Sequence, residues 1–165
     1  MKKKIHNSSI FLIFLVSIFS SSCVNNENNI ESDAIKEFDN NRPQMVDVID
    51  YVKGKYYYLD SIKKLNSLQF ILSDISYQKG TIFTDEQVFK KLESTNIYDV
   101  SFVKNSLCID KFTFDEVRFK LKIKNANYQY YYVYEFCPLN NENIDGPNFK
   151  SIALDRNWSL QIEKN

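Results

Sequence analysis

An α+β fold is what this sequence predicts: N-terminal helices packed on a curved antiparallel sheet of about five to six strands. Three observations point there. Met45, Val48, Ile49 and Val52 fall at i, i+3, i+4 and i+7, one apolar helix face. Val117, Phe119, Leu121 and Ile123 alternate with Arg118, Lys120, Lys122 and Lys124, a strand period of two. With 165 residues, 44% of them hydrophobic and 25% charged, the chain suits one folded domain rather than disorder.

The elements follow in order. Residues 32–53 read as helix, with a break or restart at Pro43, whose missing N–H suits a first helical turn. Gly54 is the expected C-cap. A short helix is expected at 60–66, begun by Asp60. Residues 67–77 are rich in strand formers but alternate poorly. Thr84-Asp85-Glu86-Gln87 is a capping box, so a short helix is expected at 85–93. From Ile97 onward the pattern is β. Asn125-Ala126-Asn127 is a turn before a strand from Tyr128 to Cys137. Residues 149–154 and 158–163 flank Asp155-Arg156-Asn157 as a hairpin. The outline is similar to that of cystatin-like and nuclear-transport-factor-like domains, a likeness of layout that says nothing about chemistry.

Composition excludes several function classes. The 21 basic and 21 acidic residues balance, but Lys2, Lys3 and Lys4 precede every acid. Residues 23–165 carry 18 basic against 21 acidic side chains, a net charge of −3. That is no footprint for nucleic acid, and no nucleic-acid partner is expected. Gly54, Gly80 and Gly146 are too far apart for a phosphate-cradling loop. The single histidine, His6, lies in the N-terminal segment, so the folded part has neither a His-based nucleophile pair nor a His-based zinc site. No cofactor, metal site or catalytic residue is expected.

The N-terminus carries the strongest signal. Met1-Lys2-Lys3-Lys4 is a positive n-region, and residues 10–19 (IFLIFLVSIF) form a ten-residue apolar run. At roughly 1.5 Å per residue it reaches about 15 Å, half a bilayer's hydrocarbon core, which fits a signal peptide rather than a spanning helix. Ser20-Ser21-Ser22-Cys23 follows. Small residues ending in Cys resemble the lipobox of bacterial lipoproteins, with Ser20 where Leu is commonest. Ordinary cleavage after the serines is the alternative. The resemblance covers residues 1–23 and implies cleavage before Cys23, a lipidated Cys23 and a place in the bacterial cell envelope, on the outer membrane. Two or three acyl chains, at about 0.8 kcal/mol per buried CH₂, hold a protein on a membrane nearly permanently. The organisation expected is therefore 1–22 signal peptide, 23–30 lipidated Cys and flexible tether (24–30 reads VNNENNI), and 31–165 a single α+β domain.

Other constellations weigh two ways. Tyr128, Tyr130, Tyr132 and Tyr134 share one strand face with Phe136. One register sets this row opposite Arg118, Lys120, Lys122 and Lys124 as an aromatic-basic surface. The other sets it opposite Val117, Phe119, Leu121 and Ile123 as core, the larger hydrophobic gain. Tyr56, Tyr57 and Tyr58, with Trp158, are candidate ligand-binding aromatics, because three consecutive residues cannot all face one way. Asn141-x-Asn143-x-Asp145-Gly146 looks like half a calcium loop, but its twelfth position is Ile152 instead of Glu. Cys108 and Cys137 are a candidate disulfide worth about 3.5 kcal/mol on the chain-entropy model. The function expected is a membrane-anchored, non-catalytic interaction module of inhibitor, immunity or assembly-accessory type, held to the membrane by its N-terminal lipid and meeting an envelope protein or ligand. A lipid-anchored glycan- or small-ligand-binding module using surface Tyr and Trp is the alternative, and an enzyme is not expected.

Overall fold

The computed structural model describes residues 6–57, 59, 65–71, 82–83, 85–104, 114–123, 125, 127–138 and 142–165. The chain divides into two compact units, residues 1–37 and 38–165. Helix α1 runs from His6–Tyr56. In the first unit it takes up every described residue, including 24–30, the stretch expected to be a tether. Neither Pro nor Gly lies between residues 6 and 37 to interrupt a helical ladder. The exposed pair Lys36 and Asp33, 3.5 Å apart, adds little to it. Among the described residues no helix is long and apolar enough to cross a membrane.

In the second unit α1 does not break at Pro43; the helix continues through it. Proline removes one N–H and strands the carbonyl of Asp39, a cost of about 3 kcal/mol in a helix interior. Burial opposes that cost. Met45, Val48 and Val52 are fully buried and Ile49 nearly so, and four such side chains gain roughly 1.5–3 kcal/mol each. Gly54 is likewise inside the last helical turn rather than capping it, and the helix ends on Tyr56.

The expected sheet of five to six antiparallel strands needs correcting. Eight strands form one mixed sheet: β1 Ser67–Ile71, β2 Ile82–Phe83, β3 Ile97–Val103, β4 Glu116–Leu121, β5 Tyr128–Glu135, β6 Ile144–Asp145, β7 Phe149–Asp155 and β8 Trp158–Lys164. Their order is β2-β1-β3-β4-β5-β8-β7-β6. Seven strands are joined antiparallel, and β2 adds to β1 in parallel. The two unexpected strands, β2 and β6, have two residues each, too short to show a period. β6 falls within residues 141–146, where the sequence shows a calcium-loop-like pattern. Only two helices are described, α1 and α2 (Glu86–Leu92). Of the helix expected at 60–66, residues 60–64 lie outside the described residues and 65–66 are not helical. Residues 72–77 also lie outside them.

The β4–β5 register decides the tyrosine row. Val117 pairs with Tyr134 and Phe119 with Tyr132. The row therefore joins the apolar face, where Tyr132 and Phe119 are fully buried. Phe38 of α1 packs its ring 5.5 Å from Tyr132 and 5.4 Å from Trp158, so helix and sheet share one core. Arg42, a turn further on, donates to Asp155 at 2.5 Å at the start of the β7–β8 turn.

Candidate interaction surface

The same alternation that buries Phe119 turns Arg118 and Lys120 to the opposite face of the sheet. Register then aligns a row across this outer face: Asp99, Lys120, Tyr131, Gln161 and Ser151 on five adjacent strands. A β-bulge in β3 adds to it. Ile97 pairs with Leu121 but Asp99 pairs with Lys120, so Tyr98 is the extra residue. Ile97 and Val100 are buried, while Tyr98 and Asp99 between them are half-buried. A bulge re-aims side chains in this way.

The result is an array of cations on rings. Lys120 Nζ lies 5.5 Å from the Tyr98 ring centre and 5.7 Å from that of Tyr131. The Arg118 guanidinium lies 4.3 Å from the same Tyr131 ring. Such contacts contribute about 0.5–1 kcal/mol at exposed sites and more when desolvated. Arg118 also donates to Glu163 and to Gln161 Oε1 at 3.3 Å, and its Nε is 3.4 Å from Glu116. Gln69 donates to Asp99 at 2.6 Å. Beneath these long side chains Val133 is fully buried and Ser159 nearly so.

Burial dominates the electrostatics. It pushes the carboxyls of Asp99 and Glu135 and the phenol of Tyr131 up from their ordinary values. For Asp99 the Gln69 hydrogen bond and the Lys120 charge offset part of that rise. Burial opposes the charge of Lys120, yet hydrogen bonds and the fields of Tyr98 and Tyr131 outweigh it, and its pKa moves up. Asp99, Glu116, Glu135 and Glu163 share this face with Arg118 and Lys120, so charges of both signs are interleaved on it.

A second polar cluster ties α1 to α2. Asp85, not Thr84, is the N-cap of α2, and its Oδ1 accepts the Gln87 N–H at 2.9 Å. Thr84 lies outside the described residues. Asp85 also accepts from Tyr56 at 2.5 Å, Lys55 at 2.8 Å and Tyr51 at 3.1 Å. Burial alone would raise this carboxyl; the hydrogen bonds from Lys55, Tyr56, Gln87 and Tyr51 reverse that and bring it to about 2. Burial and the bond to Asp85 push the Tyr56 phenol up to about 12. With both oxygens so engaged, Asp85 is a clamp and a poor proton acceptor for a substrate.

No family model, curated protein or solved structure matches this chain.

Of the aromatics singled out in the sequence, Trp158, Tyr56 and Tyr57 lie apart from the outer face. Trp158 is 2% exposed, packed against Phe119 and Tyr134 at 5.9 and 5.0 Å. Tyr56 and Tyr57 are buried, the latter against Phe114 and Phe136 at 5.7 and 6.4 Å. A buried ring has no face to offer a ligand; these three side chains build core. Tyr58 and Cys108 lie outside the described residues. Cys23 is on α1, and Cys137, just past β5, is disulfide-bonded. Of the calcium-loop-like motif, Asn141 lies outside the described residues. Asn143 Oδ1 accepts the Ala153 N–H at 2.8 Å, and Asp145 pairs with Lys150 in the β6–β7 ladder. Among the described residues no three His, Cys, Asp or Glu side chains are grouped to hold a metal ion.

The outer-face array was missed because Tyr98 and Tyr131 belong to no sequence pattern. Tyr131 is out of phase with the tyrosine row, and a bulge leaves no mark in a single sequence. The one available signal was the pair Arg118 and Lys120 on β4, which need partners on neighbouring strands.

Proposed function

We propose that this chain is a bacterial envelope lipoprotein, anchored through Cys23 on the outer membrane, that works as a non-catalytic interaction module of inhibitor, immunity or assembly-accessory type. One observation carries the anchoring: a ten-residue apolar run followed at once by Ser20-Ser21-Ser22-Cys23. The binding role is supported by the second unit's chemistry. Its outer sheet face is ordered by mutual contacts and carries Tyr98, Tyr131 and Arg118, residue types that carry binding energy at interfaces. Asp85, Asp99, Lys120 and Arg118 are each held by partners within the fold. Among the described residues of this unit the exposed large apolar side chains are Val46, Leu59 and Ile144, which share no helix or strand and so form no common apolar stripe. A glycan site built on Trp158 and the 56–58 tyrosines gains no support, because Trp158, Tyr56 and Tyr57 are core residues.

Replacing Cys23 with Ser tests the anchor. The expected outcome is release into the soluble fraction and loss of labelled fatty acid. Membrane fractionation and labelling that persist in the variant overturn it.

A further inference from the structure

We draw no further inference here: the strongest candidate, the outer sheet face around Tyr98, Lys120, Tyr131 and Glu135, belongs to the surface already described, its rings are covered by the chain's own cations, and nothing in the structure shows what covers it.

Discussion

Phe119 and Lys120 are neighbours in sequence and opposites in environment. Phe119 is fully buried on the helix-facing side of the sheet, beside Trp158. Its replacement by Ala is expected to cost about 3–5 kcal/mol. Period-two alternation makes Lys120 look like an ordinary solvated lysine, for which truncation costs under about 0.5 kcal/mol. The structure raises that expectation. With two tyrosine rings against its ammonium, Lys120→Ala should cost about 1 kcal/mol, still well below Phe119→Ala. Urea denaturation of both variants checks the pair; equal losses would mean that the two faces are misassigned. The inside-outside pattern of β4 was thus legible from its own residues. The partners of Lys120 were not, since they come from a bulge in β3 and the out-of-phase tyrosine of β5.

At the scale of elements, α1 and α2 meet through one carboxylate. Asp85 has its pKa held below the unfolded value, so its contribution to stability is present above about pH 4 and is lost as pH falls toward 2. Asp85→Asn keeps an N-cap acceptor but discards the charge that Lys55 and the two tyrosines address. A loss of about 1–3 kcal/mol is expected at pH 7, shrinking between pH 4 and pH 2. A pH series of chemical denaturation curves measures it, and a pH-independent loss would show that the charge is not what matters. Gly54 offers the reverse change. It is exposed in the last turn of α1, and a Cβ there would meet nothing within 4 Å. Gly54→Ala should therefore stabilise by about 0.5–1 kcal/mol, read as a higher denaturation midpoint with unchanged slope.

Local signals placed α2, the 155–157 turn and the apolar face of α1 within a residue or two of their positions. They failed where distant packing decides. Pro43 looks like a helix start until the buried Met45, Val48 and Val52 are seen holding the helix on through it. Thr84 and Asp85 are both good caps, and what selects Asp85 is a set of donors some thirty residues back in the chain. The parallel β1–β2 pair rests on two register positions, which nothing local announces.

For the whole molecule, three cysteines constrain one another. Cys137 is in a disulfide. A sulfur that carries a thioether cannot also form a disulfide, so anchoring through Cys23 leaves Cys108 as the partner. Peptide mapping of the non-reduced full chain from membranes should recover a linked Cys108–Cys137 peptide and a separate acylated Cys23. A linked peptide containing Cys23 would overturn both assignments at once.

The ends of the sheet bear on how such a protein survives crowding. Both outermost strands, β2 and β6, are two residues long. Asn143 also takes up the Ala153 N–H on the flank of β7 that would otherwise point outward. A long bare edge invites another chain to add itself as a further strand. Among the described residues the sheet thus tapers at both ends and Asn143 caps one flank, which leaves little template there for a second copy of the chain to extend the sheet.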